Sequence, residues 1–314
     1  MAAQITIGAK DANRRLDKFL FQYLNNAPHS FVFKMLRKKR IKLNNKRASG
    51  SEILTQGDEL QLYLSPETID GCKKEKEIKK AENLTGIIFE DNDILVVNKP
   101  VGLPSHGGIK TNKKDHLLAR VLYYLYNNGA YEKDSTFTPA LCNRLDVNTS
   151  GVVVCGKSLK GLQEMNNFFA NNYIEKEYLT IAEGLVGKTG ETKCLENYYK
   201  KDAKTNMALI SQEPTKTKII TNYTIVATSK THTLLKINPI TGRSHQIRVH
   251  MASIGHPLAG DKKYGGKPTP FGSGQLLHCY KLGIKNTNKS WTATPPKMLD
   301  KCLKEWFEVN YENI

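Results

Sequence analysis

Cysteine is sparse and scattered: six residues (72, 142, 155, 194, 279 and 302) in a chain of 314, with no CxxC pair. That pattern excludes a zinc ribbon and argues against a disulfide framework, so a reducing compartment is expected. Three of the six have apolar or aromatic neighbours (Leu141-Cys142, Val154-Cys155, His278-Cys279), as small core residues do. No apolar stretch approaches the ~18 residues that a membrane span requires. The N-terminus lacks an apolar h-region, so no signal peptide is expected and the cytoplasm is the default location. GxGxxG and the P-loop are both missing, which removes the usual phosphate cradles of nucleotide cofactors, and no cofactor is expected. His245, His250 and His256 are close in sequence. Their spacing is not HExxH and no cluster of Cys or carboxylates completes a ligand set, so no metal is expected. Acidic residues are also short: 30 Asp and Glu against 47 Lys and Arg, a formal net charge of +17. An excess of that size suggests a polyanionic partner.

What is present divides into three stretches: residues 1–65, a linker over 66–84, and a larger unit over 85–314. The first stretch carries twelve Lys/Arg against five Asp/Glu. Leu16, Phe19, Leu20, Tyr23 and Leu24 have helical spacing, which predicts a helix over Arg15–Asn25. Ser30 is a candidate cap for a second helix running to about Arg40. Ile41–Leu43, Ile53-Leu54 and Leu60–Leu64 read as short strands around the Asn44-Asn45 and Gly57-Asp58 turns. The linker contains Lys73-Lys74-Glu75-Lys76-Glu77 and almost nothing apolar.

From Gly86 onward, strands and helices alternate irregularly. A hairpin is expected across Asp91-Asn92-Asp93, helices over His116–Tyr126, Ser158–Asn171 and Gln246–Ser253, and strands over Val152–Cys155 and Tyr178–Ala182. Ile219–Val226 and His232–Ile237 read as a paired ladder. The class is α+β, not a regular βαβ chain.

Four segments carry chemistry. Ile94–Asn98 delivers Lys99 to a Pro/Gly loop, where a lysine is expected to be exposed. Asn143-Arg144-Leu145-Asp146-Val147-Asn148-Thr149-Ser150-Gly151 places a charged triplet at the mouth of an apolar strand. Alone, such an Asp is most often a backbone cap. Facing a pocket, an ionised carboxylate there can act as nucleophile or base. Glu175-Lys176-Glu177-Tyr178 leads into a strand, and Pro239–Met251 continues to Gly255–Asp261.

In this order, the four segments resemble those of the RluA-type family of pseudouridine synthases, which isomerise uridine in RNA. The basic N-terminal stretch, with Arg14-Arg15-Leu16-Asp17-Lys18-Phe19-Leu20, resembles the S4 RNA-binding domain. Together these resemblances cover most of the chain. They imply a mixed, mostly antiparallel sheet with a central cleft, preceded by a small α+β S4-like domain. They imply that Asp146 is the catalytic residue and that Arg144 helps fill the space left by a flipped base. Tyr178 would stack on the target base, and Leu277 would pack against it. Arg248, or failing that Arg243, would pair with Asp146. An opposite charge within a few ångströms keeps a carboxylate ionised and oriented. The family more often has His where this chain has Asn143. Arg14, Arg15, Lys34, Arg37, Lys38, Lys39 and Arg40 are candidate RNA contacts, mainly to phosphates.

The implied reaction flips a uridine out of folded RNA, chiefly large-subunit ribosomal RNA, and remakes its glycosidic bond from N1 to C5. Asp146 could attack C1′, add to C6 or abstract a sugar proton. The resemblance implies no metal and no cofactor, and a monomer is the default. Two other classes compete. A pure RNA-binding protein has no need of the Asp146, Tyr178 and Arg248 set. A nucleoside-bond hydrolase needs a second carboxylate of the acid/base kind, which the sequence does not offer.

Overall fold

The computed structural model describes residues 2–107, 115–202, 205, 207–211, 213–214 and 217–314. In the first stretch the elements are β1 (Ala3–Thr6), α1 (Leu16–Tyr23), α2 (His29–Arg37), β2 (Ile41–Leu43), β3 (Lys46–Arg47), β4 (Glu59–Leu62) and α3 (Pro66–Gly71). Leu16, Phe19 and Leu20 of α1 and Val32 and Leu36 of α2 are buried, at the spacing that puts them on one face of each helix. They close a core over an antiparallel sheet of order β1-β4-β2-β3.

Helix α2 differs from its sequence-based bounds at both ends. Pro28, with its fixed φ, occupies the N-cap position, and Ser30 is already inside the first turn. The helix stops at Arg37 because Lys39 adopts a left-handed conformation (φ 57°). The Arg40 and Lys39 amides then reach back to the Met35 and Leu36 carbonyls, the bond pair of a Schellman closure. The run Lys38-Lys39-Arg40 is therefore an exposed turn, not a helix end. Helix α3 lies in the stretch expected as linker; Ser65 caps it and Ile69 packs into the N-terminal core.

The second stretch holds β5 (Ile87–Glu90), β6 (Ile94–Lys99), α4 (Leu117–Asn127), β7 (Ala140–Leu141), β8 (Ser150–Gly156), α5 (Leu159–Ala170), β9 (Ile174–Glu183), β10 (Thr192–Asp202) and β11 (Met207–Ser211). It continues with β12 (Lys218–Thr228), β13 (His232–Pro239), α6 (Gln246–Ser253), β14 (Leu277–Ile284), β15 (Ser290–Thr292) and α7 (Lys297–Phe307). Its strands form one sheet of order β11-β10-β12-β13-β9-β14-β8-β6-β5, with β7 beside β8 and β15 beside β14. The pairings are antiparallel except β14 with β8, where His278 lies opposite Ser150 and Cys279 opposite Gly151. Strand β8 is buried along its whole length, as a strand covered on both faces must be. Strand β12 alternates buried and partly exposed residues, so only one of its faces meets the core.

The two stretches touch. Arg14 donates to the Thr136 carbonyl at 3.1 Å and Asp11 accepts from the Thr136 hydroxyl, while Lys76 Nζ, between the two stretches, reaches Thr138 Oγ1 at 2.9 Å. No helix among the described residues is long and apolar enough to cross a membrane.

Candidate active site

The loop before β8 is built by short-range and long-range anchors acting together. The Asn143 amide pairs with β8 in place of a strand neighbour, donating to the Val152 carbonyl (3.1 Å) and accepting from the Val154 amide (2.9 Å). Ser105 Oγ donates to the Leu145 carbonyl (2.9 Å) and accepts the Leu145 amide (3.1 Å). The Thr149 amide closes a turn onto the Asp146 carbonyl. Gly151 then takes a positive φ (117°), and a Cβ there would sit 2.1 Å from the Cys279 carbonyl oxygen. Only glycine admits both that φ and that approach of β14.

Lys99 is the largest departure from expectation. It is fully buried, not exposed. Its ammonium donates to the carbonyls of Leu103 (2.8 Å), Pro100 (2.9 Å) and Val147 (3.1 Å). Burial lowers its pKa to about 7, with the nearby Asp146 opposing the shift. The side chain ties the loop after β6 to the residue that follows Asp146.

Asp146 is left partly exposed, facing a cleft of about 1390 Å³. Arg248 Nη1 donates to its Oδ2 at 2.9 Å. The Nε–Nη2 edge of Arg248 forms a bidentate pair with Asp261, Nε to Oδ2 and Nη2 to Oδ1, both 2.7 Å. Asp261 is 1% exposed and Arg248 6%. Burial disfavours the Arg248 charge, but its pKa is raised because Asp261 and Asp146 outweigh that cost. Arg248 also lies over the Tyr264 ring, 5.0 Å from its centroid. Helix α6 holds Arg248 in place through Gln246. The Gln246 amide accepts from the Arg243 amide and Thr241 hydroxyl and donates to Thr221 Oγ1 and the Ile220 carbonyl.

Tyr178 of β9 lies opposite Cys279 of β14 and lines the cleft. Burial first, then its contact with the Cys279 thiol, pushes its hydroxyl well above the ordinary range, so it stays neutral. Leu277, buried at the start of β14, forms part of the same wall. Arg144 and Arg243 are exposed and line the rim with Lys262 and Lys263. Arg248, not Arg243, is thus the partner of Asp146. Among the described residues, no three His, Cys, Asp or Glu side chains gather as a metal site.

In the N-terminal stretch, Arg15, Lys34, Arg37, Lys38, Lys39 and Arg40 are exposed, with Arg15 paired to Asp17 at 2.8 Å. Arg14 is different. It is 9% exposed, and its guanidinium is committed to Asp11, the Lys18 carbonyl and the Thr136 carbonyl. Its burial against the second stretch removes it from a phosphate-binding surface.

Sequence reasoning assigns no role in the site to Lys99, Ser105, Asp261 or Tyr264. Asp261 closes a segment that carries the resemblance, so its position is visible there although its role is not.

A family model described as RNA pseudouridylate synthase matches residues 93–253, and an S4 domain model matches residues 14–60. The chain is 30% identical to ribosomal large subunit pseudouridine synthase C of Salmonella typhi, over 97% of this chain and 95% of that one. It is 32% identical to the protein of the same name from Buchnera aphidicola, over 81% and 77%. Synthase D of Borreliella burgdorferi is 29% identical over 88% and 81%. Among solved structures, human RNA pseudouridylate synthase domain containing 4 superposes with a TM-score of 0.55 at 21% identity, covering 69% of this chain and 91% of that one, which speaks to the fold.

Proposed function

The chain belongs to the RNA pseudouridylate synthase family and is an isomerase acting on RNA, and from that premise we propose that Asp146 drives uridine isomerisation in large-subunit ribosomal RNA. The observation that carries this reading is the Asp146–Arg248–Asp261 chain at the floor of a basic cleft. One carboxylate is buried and used up by the guanidinium; the other keeps access to the cleft.

Residues 1–65 act as the S4-like RNA-binding domain and 85–314 as the catalytic domain. The exposed Lys34, Arg37 and Lys38-Lys39-Arg40 contact phosphates, which gives salt-sensitive affinity with little sequence preference. A target uridine swings out of the RNA into the cleft, where it stacks on Tyr178 and packs on Leu277. Arg144 on the rim fills the gap. Asp146 acts on the sugar or base, the C1′–N1 bond breaks, the base turns, and C5 bonds to C1′. The chain works as a monomer in the cytoplasm. A hydrolase would need a second free acid at the cleft, and Asp261, which also lines it, has both oxygens bound by Arg248.

Tritium release from RNA carrying 5-³H-uridine tests the reading, because the new bond at C5 must expel that hydrogen. Release by the wild type that disappears in Asp146→Ala supports it. Absence of release from ribosomal RNA of a strain lacking the protein, with binding intact, would leave an RNA-binding protein. Free uracil would indicate the hydrolase.

A further inference from the structure

His245 has no part in the function proposed above, yet its imidazole reaches the catalytic carboxylate. Its Nε2 lies 3.7 Å from Asp146 Oδ2, and its side chain is 12% exposed. The residue occupies the N-cap position before α6 in a left-handed conformation (φ 57°, ψ 16°), which most non-glycine residues avoid. That turn directs the ring to Asp146 on one edge and to Tyr264 on the other. Tyr264 Oη is 2.9 Å from His245 Nδ1, with the rings edge to face.

The tautomer follows from the donors. The Ala208 amide donates to Tyr264 Oη at 2.7 Å. The Tyr264 hydroxyl hydrogen has two acceptors in reach, His245 Nδ1 at 2.9 Å and the Ala208 carbonyl at 3.4 Å. The shorter line favours Nδ1 as acceptor, and the Asp146 carboxylate beyond Nε2 calls for a hydrogen there. The neutral ring then carries its hydrogen on Nε2, pointing at Asp146.

We propose that His245 is a positioning residue: Tyr264 fixes its tautomer, and its Nε2–H steadies Asp146 Oδ2 beside Arg248. Among the described residues, Arg248 and His245 both approach Asp146 at Oδ2. The 3.7 Å separation is long for a hydrogen bond, and such contacts tighten when substrate fills a site. This assignment rests on the function proposed above.

The charged and titratable groups facing the ring are Asp146, Arg248, Lys263, Asp261 and Tyr264. Burial holds its pKa below the ordinary histidine value, with Arg248 and Lys263 adding to that and Asp146 and Asp261 opposing it. The ring is therefore neutral at physiological pH. A proton added in acid puts a second positive charge at Oδ2 and weakens the carboxylate as base or nucleophile. Activity then falls on an acid limb that belongs to His245.

Two measurements test this. The first is ¹⁵N NMR of the histidine ring nitrogens, with His245→Gln for assignment. Hydrogen on Nε2, with a shift toward mixed tautomers in Tyr264→Phe, is the expected result. Hydrogen on Nδ1 overturns the proposal. This readout needs no turnover, so it stands even where the wild type releases no tritium and the function itself is wrong. The second is the pH profile of tritium release. His245→Ala is expected to lose roughly 10²-fold in kcat with KM nearly unchanged, the size of a ~1 Å misplacement of a reacting group. His245→Gln, whose amide donor cannot titrate, should recover most of that loss and move the acid limb to lower pH. Wild-type kcat in His245→Ala overturns the proposal. So does a Gln variant as slow as the Ala variant with an unmoved limb.

Discussion

Arg248 and Asp261 form a bidentate pair closed to solvent, and the guanidinium has one edge left, which it gives to Asp146. The buried carboxylate fixes the plane and direction of the arginine. Removing it leaves a buried cation with a single, partly exposed partner. Asp261→Ala is expected to destabilise the fold by about 3–5 kcal/mol, the usual cost of breaking a buried pair from one side. Urea unfolding measures this. Activity of the fraction that folds should fall as well, because Arg248 is then free to turn.

Lys99 gives stability a pH dependence. Its folded-state pKa of about 7 lies below its ordinary value of 10.5. Between those values the unfolded chain binds a proton that the folded chain lacks. Stability from this group therefore rises with pH across the window, by at most about 1.4 kcal/mol per unit, and is lowest below pH 7. Urea midpoints of Lys99→Met should lack that slope. The variant also removes the ammonium from three carbonyls, leaving Val147 only the Gly102 amide, so kcat should drop through a loosened Asp146 loop.

Gly151→Ala should be among the most damaging single changes. The added Cβ would lie 2.1 Å from the Cys279 carbonyl, in a backbone conformation with positive φ. Neither strand can yield without opening the β8–β14 pairing. A loss of at least about 3 kcal/mol is expected, against the usual ~0.5–3 for point substitutions. A soluble variant with an unchanged thermal midpoint would contradict the geometry.

The two kinds of basic residue near the N-terminus separate under salt. Alanine at Lys38, Lys39 or Arg40 should each lower the slope of log K against log[salt] by about 0.7–0.9 for every phosphate left without its cation. Arg14→Ala should leave that slope unchanged and cost about 1–3 kcal/mol of stability, because it removes a part-buried donor from Asp11 and from the Thr136 carbonyl. Filter binding over a salt series, with unfolding of the same proteins, distinguishes them.

Much of this is legible in the chain because the signals are local. Ser158 caps α5 and His116 caps α4, where the sequence pattern starts those helices. The β12–β13 ladder follows from alternation, and the Asp146 and Arg248 segments carry their own pattern. Other features depend on partners far away in sequence. Lys99 is buried by Val147, 48 residues later, so a lysine that looks solvent-bound serves as a staple. Strands β10 and β11 are largely exposed or half-exposed and show no clean alternation, so nothing in their pattern marks them as strands. The early end of α2 turns on a left-handed lysine, where a glycine would have announced the stop.

The position of β14 also bears on the timing of folding. Nearly the last strand in sequence, it lies between β9 and β8 in the middle of the sheet. Until Leu277–Ile284 has left the ribosome, the two halves of the sheet have no common neighbour to join them. The Asp146 loop belongs to one half and Arg248 to the other, 102 residues apart. A nascent chain can thus complete its N-terminal domain early and still be inert, since domains fold as units while long-range strand pairing is slow. The strand order thus predicts that catalytic competence appears only once β14 has joined the two halves.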